Sequence, residues 1–415
     1  MRGGIAMLAA AALTLTGCAG TVAGEAVRAP DAAVVAQLDT GDYDTAPTRE
    51  LGTAGDDAFA RGLLESQRIA EFVVGPWEVD EELTRPAVGA GNGVNQSIPS
   101  ADILQQVVGE APGVVEAGRN RGLIAGFSSW RGAADAATGG SLLNAVLRFP
   151  DPAAAQAAAA EIAAALDAPG HGESPREPAP IPGHPDASAV SYTDFGGTSR
   201  VRSFTAHGPY VLYQLAAPGA DSAAAARELI GDCLDQQVPL IDNFVPTPVD
   251  VLGQLPKDPS GELLPAVLTD QSNGGLPVST GAWQPLAWLH FEPDPRSARE
   301  AFDDADVDVV AQRLATVYRT RDEGAAAALA EYLQTVAADA PSAEPLDDAV
   351  PGLPAARCFE RTEGYESGTT PVTWQWSSWH FKCVAHVDRY AYTVFSQSLQ
   401  DARQQAGAQY RILTA

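Results

Sequence analysis

The residues able to do chemistry in this 415-residue chain are few and scattered. The cysteines are Cys18, Cys233, Cys358 and Cys383. A thiol can carry a lipid, close a disulfide, bind a metal or attack a carbonyl, and its surroundings decide which. His207 and His386 each follow an alanine near the end of a strand-like run, and they align as equivalent positions of two similar segments. Facing each other, they would suit a metal or an acid–base pair. As strand-end histidines beside turns they would do neither, and this second reading is favoured. Asp304, Asp306 and Asp308 open like a calcium loop. Val309 stands where that loop needs glycine and Ala315 where it needs a bidentate glutamate, which excludes an EF-hand and leaves a solvated acidic loop. Trp374, Trp376 and Trp379 could stack on a sugar ring. Strand alternation puts Trp374 and Trp376 on one face and Trp379 on the other, and core packing explains such a cluster as well. No paired metal spacing, GxSxG elbow, phosphate loop or dinucleotide fingerprint occurs, so no catalytic residue, cofactor or metal is assigned.

The N-terminus is more specific. Arg2 precedes an apolar run, Ile5 to Leu15, and small residues lead to Leu15-Thr16-Gly17-Cys18. A charged start, a short hydrophobic core and a small-residue cleavage zone form an export signal. The run is shorter than the ~20 apolar residues a transmembrane helix needs. Leu-Thr-Gly-Cys resembles the lipobox of bacterial lipoproteins. That resemblance implies a signal peptide over residues 1–17, cleavage before Cys18, and a diacylglycerol on its thiol. The expected address is the extracytoplasmic face of the cell membrane, with the membrane as partner through the anchor. Residues 18–36, rich in small residues, read as a flexible tether.

Composition agrees with a folded body and narrows its partners. Hydrophobic residues make up 45% and charged residues 19%, which suits a globular chain. The net charge of −27 repels nucleic acid and anionic head groups, so neither is an expected non-specific partner. Only Lys257 and Lys382 are lysines, and the arginine and alanine bias suggests a GC-rich, actinobacterial genome.

The elements that must hold these residues recur. Asp57 to Val74 and Ser100 to Val108 read as capped helices, and Leu123 to Trp130 as an extended run. Leu142 to Phe149 reads as a strand. Asp151-Pro152 then caps an alanine-rich helix. Ala189 to Tyr192, Arg200 to His207 and Tyr210 to Ala216 alternate as strands, and a helix follows from Asp221 to about Cys233. The second half repeats the order, with a strand at Val317 to Thr320 and an Asp322-capped helix. Pro351-Gly352-Leu353-Pro354 mirrors Pro182-Gly183-His184-Pro185, aromatic strands follow, and a last helix begins near Gln400. Weaker matches pair the runs from Val34 and Val251, and those from Phe72 and Trp288.

These matches give the expected architecture: α+β, in two tandem related copies at 37–245 and 250–415. Each copy is an antiparallel sheet with helices packed on one face. A groove between the copies would be the natural ligand site. Cys358 and Cys383 fall on strands that the element order makes hairpin neighbours, so they are the expected disulfide. Cys233, late in a helix beside Leu234, reads as a buried free thiol.

The lipobox, LDTGDYDTAP near the mature start, ESQRIAEFVVGPWEVDEEL and the join from Asp235 to Pro248 together resemble a family of actinobacterial lipoproteins. Its members come from mycobacteria, nocardiae and rhodococci and carry a domain of unknown function. The resemblance spans nearly the whole chain and implies a surface location, but no activity. The favoured function is therefore a non-enzymatic envelope lipoprotein that binds an envelope lipid, glycan or protein partner. A wall hydrolase with a site assembled from distant residues, such as His207 and His386, is the alternative. An accessory subunit of a membrane complex is the third reading.

Overall fold

Period-two alternation in each half builds an antiparallel sheet, and the intervening alanine-rich runs build the helices that cover it. The computed structural model describes residues 33–86, 95–108, 112–134, 140–165, 173–217, 219, 222–269, 279–347, 350–364 and 379–415. Cys18, most of the tether, Trp374 and Trp376 lie outside the described residues.

The first sheet comprises β1 (Arg85–Pro86), β2 (Gln96–Ser97), β3 (Ala125–Gly132), β4 (Ser141–Arg148), β5 (Glu177–Pro178), β6 (Ser188–Thr193), β7 (Ser199–His207) and β8 (Tyr210–Ala217). Its order is β1-β3-β4-β8-β7-β6-β5, with β2 also on β3. The second comprises β9 (Gly281–Trp283), β10 (Val309–Gln312), β11 (Thr316–Arg319), β12 (Ala343–Pro345), β13 (Arg357–Arg361), β14 (Phe381–Val387) and β15 (Tyr390–Ser396), in the order β12-β13-β14-β15-β11-β10-β9. Read from its other edge, the second sheet repeats the first. The helices of the first half are α1 (Ala58–Ala70), α2 (Pro76–Val79), α3 (Ala101–Val108), α4 (Pro112–Arg121), α5 (Pro152–Ala165) and α6 (Ala223–Ile241). Those of the second are α7 (Pro285–Trp288), α8 (Pro295–Ala305), α9 (Glu323–Ala338) and α10 (Leu399–Leu413).

Side chains fix the helix starts as the sequence suggests. Asp57 Oδ1 accepts from Phe59 N at 3.0 Å, Asp151 Oδ1 from Ala154 N at 2.8 Å and Asp322 Oδ1 from Ala325 N at 2.9 Å. α6 is capped by Ser222 and runs on to Ile241, past Pro239 and well beyond Cys233. α4, α8 and β10 escape the sequence reading. α8 carries a legible signal, Asp294 as N-cap followed by Pro295, the same pair that opens α5.

The repeat extends to hydrogen bonds. Phe149 N donates to Pro209 O at 2.8 Å, and Thr320 N to Arg389 O at 2.9 Å. The two PGxP turns match as well: His184 N donates to Ile181 O, and Leu353 N to Val350 O. Gly183 and Gly352 sit in these turns at φ +77° and +82°, where a side chain would be strained. The matched runs from Phe72 and Trp288 are not equivalent. The first ends in α2, ahead of β2, whereas the second follows β9, the counterpart of β2.

The α+β class and the two tandem sheets stand as expected, and in the first sheet helices lie on both faces. Leu143, Ala145 and Leu147 of β4 pack with Ala155, Ala158 and Ile162 of α5. Leu142 and Val146 face the other way, into a core that holds Ala226, Ile230 and Leu234 of α6. That second core continues without a break into the other half, through Trp283, Trp288, Phe291 and Tyr318.

Candidate functional site

The sequence candidates do not converge. His207 Nε2 meets Asp242 Oδ1 at 2.7 Å at the surface. His386 Nδ1 is buried without a hydrogen-bond partner in the other half. The supposed equivalence of the two is off by one residue. His207 pairs with Tyr210 across its hairpin, whereas Val387, not His386, pairs with Tyr390. His386 therefore corresponds to Ala206, and a one-residue shift places the two histidines on opposite faces of their sheets.

Arginines pair with two of the three aspartates in the acidic run. Arg319 Nε donates to Asp308 Oδ1 at 2.7 Å and Arg321 Nη1 to Asp306 Oδ2 at 3.2 Å, while Asp306 ends α8 in the left-handed conformation. Among the described residues no three His, Cys, Asp or Glu side chains gather as a metal site. Trp379 is buried, with Arg361 over its ring at 5.5 Å.

Cys358 and Cys383 are directly opposed across β13 and β14, with Cα atoms 4.1 Å apart, and form a disulfide. In the first sheet the opposed pair at this register is Ala189 and Ser203. Cys233 is a free thiol on the buried face of α6, and burial pushes its pKa up, away from reactivity.

The residues best able to do chemistry meet between the two halves. The segment after α7 crosses onto β3 and α1. His290 Nδ1 accepts from Ser129 Oγ at 2.9 Å, and its Nε2 donates to Ala70 O at 3.1 Å. The pair has the spacing of a serine nucleophile and its base. The site, however, is closed: Ser129 is 0% and His290 1% exposed. Phe127 at 5.0 Å and Trp77 at 5.2 Å between ring centroids pack against the imidazole. Burial lowers the His290 pKa to about 3, so it stays neutral. Beside it, Arg131 is fully buried. Its Nη2 donates to His290 O at 2.6 Å and Glu292 O at 2.8 Å, and its Nη1 to Thr84 O at 2.8 Å. Burial lowers its pKa to about 9. Glu292 Oε1 accepts from Trp288 Nε1 and Tyr318 Oη, each at 2.7 Å, and burial raises its pKa. The expected groove between the copies is thus filled here by a plug of second-half residues. The arrangement joins the halves and leaves no room for substrate.

A cleft of about 570 Å³ lies elsewhere, where Val34 and Gln37 meet Val350, Gly352, Pro354 and Arg403. Val34 N donates to Gly352 O at 2.7 Å, so the start of the described chain is seated on the second PGxP turn.

Comparison with known families follows this two-part body. The family described as Domain of unknown function (DUF7373) N-terminal matches residues 51–257, and its C-terminal companion matches residues 263–415. The chain belongs to this family. No curated protein matches it. Among solved structures, the extracellular domain of PknH from Mycobacterium tuberculosis is similar at 15% identity, with a TM-score of 0.23, covering 29% of this chain and 69% of that one. No described helix is long and apolar enough to cross a membrane.

Proposed function

We propose that this DUF7373 protein is a lipid-anchored envelope protein, held through Cys18 on the extracytoplasmic face, that binds a lipid, glycan or protein partner rather than transforming one. The single observation that carries the address is the Cys358–Cys383 disulfide, because such bonds persist in oxidising compartments. The Leu15-Thr16-Gly17-Cys18 sequence agrees with it. On this reading residues 1–17 are removed, 18–36 tether the body, and the copies at 37–245 and 250–415 stand outside the membrane. Two acyl chains, at ~0.8 kcal/mol per buried CH₂, anchor a protein stably. Binding is favoured over hydrolysis because the one serine–histidine pair described above is sealed in the core and His207 is bonded to Asp242 alone. In the native host, the N-terminal peptide should carry acyl chains on Cys18, and Cys18→Ser should move the protein from the membrane fraction to the soluble one. An unmodified Cys18, or a variant that stays with the membrane, overturns the anchor.

A further inference from the structure

Three arginines are set around Tyr192 and Tyr213 on the α5 side of the first sheet, and one of them makes no close ion pair. Arg200 Nε donates to Asp194 Oδ2 at 2.5 Å, and Arg176 Nη2 to Glu173 Oε2 at 2.7 Å. Arg202 is 5% exposed and in no ion pair, and its Nε and Nη1 have no hydrogen-bond partner. The Tyr213 hydroxyl, fully buried and diagonal to Arg202 across β7 and β8, is also unpartnered. The ring of Tyr192, with its centroid 5.3 Å from the Arg202 guanidinium carbon, lies against the charge, and Glu173 acts on it from farther away. The other two deeply buried arginines leave only Nε without a partner: Arg131 donates to main-chain oxygens and Arg148 to Glu65. A set of buried donors without an acceptor calls for one.

The internal repeat keeps a cation at this position. Arg202 lies between Val190 and Leu215, and the same register in the second sheet puts Lys382 between Phe359 and Phe395. There a buried carboxylate, Glu292, acts on the cation. The two copies keep a positive charge at one position, and in each a carboxylate acts on it, Glu173 in the first and Glu292 in the second.

We infer that the Arg202–Tyr213 pair is a binding site for an oxyanion, a carboxylate or phosphate group borne by a ligand, which accepts from Arg202 Nε and Nη1 and from Tyr213 Oη. Tyr192 walls the guanidinium and excludes water from the pair, where a charge-assisted bond is strongest. The inference rests on the reading of this protein as a binding protein, but not on its anchor. Cell fractionation reports the anchor, and the titration below reports the site.

The test is thermal unfolding of the full mature chain in detergent, titrated with inorganic phosphate or with acetate at constant ionic strength set by sodium chloride. The wild type should rise in melting temperature, saturably, with at least one of them. A response to phosphate alone assigns a phosphate ester and a response to acetate alone a carboxylate. Arg202→Met should lose the response. Tyr213→Phe, which keeps the shape of the core, should shift the midpoint of the titration about tenfold upward, a loss of about 1.4 kcal/mol. It serves alone should Arg202→Met fail to fold. No saturable response to either anion, or a Tyr213→Phe titration equal to the wild type's, overturns the site.

Discussion

The guanidinium of Arg131, on β3 of the first sheet, donates to the main-chain oxygen of His290 in the second half at 2.6 Å. This bond and its neighbour to Glu292 O tie the halves together with no carboxylate donated to, while Thr84 O holds the other end of the guanidinium from within the first half. Arg131→Met should keep the packing volume yet orphan these carbonyls. The expected loss is about 3 kcal/mol or more, since hydrogen bonds to a charged group are each worth roughly 1.5–3 kcal/mol. Urea denaturation followed by tryptophan fluorescence measures it. A midpoint equal to the wild type's would show that the interface does not depend on Arg131.

His290 makes the stability of the same interface depend on pH. Its folded pKa is lowered to about 3 from an unfolded value of 6.5. Between these values the unfolded chain binds the extra proton, so stability present in full above the unfolded pKa is lost as pH falls, by about 1.4 kcal/mol per pH unit. Glu292, with its pKa raised, works in the opposite sense: its contribution is present at low pH and is lost as pH rises through its folded value. His290→Gln should therefore flatten the fall in stability by about 1.4 kcal/mol per unit between about pH 4 and pH 6. Denaturation midpoints across that range check it, and parallel profiles for the two proteins would refute the assignment.

Reduction of Cys358–Cys383 should destabilise the second sheet. The bond closes a separation of 25 residues, worth about 3 kcal/mol in the chain-entropy model. Melting with and without a reductant, and in Cys358→Ala/Cys383→Ser, should give matching losses. Cys233 should remain unreactive to a thiol reagent until the chain unfolds, because it is fully buried in α6. Rapid native labelling at Cys233 would contradict its placement.

What the sequence makes legible is what local patterning controls. Asp57, Asp151 and Asp322 announce helices because a carboxylate satisfies free N–H groups at their starts. β7 and β8 are legible because Gly208-Pro209 turns the chain between two alternating runs, and the same order brings Cys358 to Cys383. The interface is not legible. His290 and Ala70 are 220 residues apart, and nothing in Leu289-His290-Phe291-Glu292 distinguishes a plug from a loop. The histidine register failed for a different reason. Thr205-Ala206-His207 and Val384-Ala385-His386 look alike, yet turn hydrogen bonding, not letter identity, sets strand register. Arg202 stayed hidden because an arginine in an alternating strand reads as solvent-facing, and only the packing of α5 buries that face.

Glu65 offers the sharpest test of how the linker is held. It is wholly buried on α1 and accepts from Arg148 Nη1, from Arg68 Nη1 at 2.8 Å and from Thr247 N at 3.0 Å. Arg148 Nη2 in turn donates to Thr247 O, so the carboxylate and the arginine together grip the segment between the halves. Glu65→Gln preserves shape but removes the charge, leaving Arg148 buried without an ionic partner. Breaking a buried pair in this way costs about 3–5 kcal/mol. The double variant Glu65→Gln/Arg148→Met should recover much of that loss, because neither charge then remains in the core. A double-mutant cycle in urea measures the coupling. Purely additive losses would mean that the linker is held by packing alone.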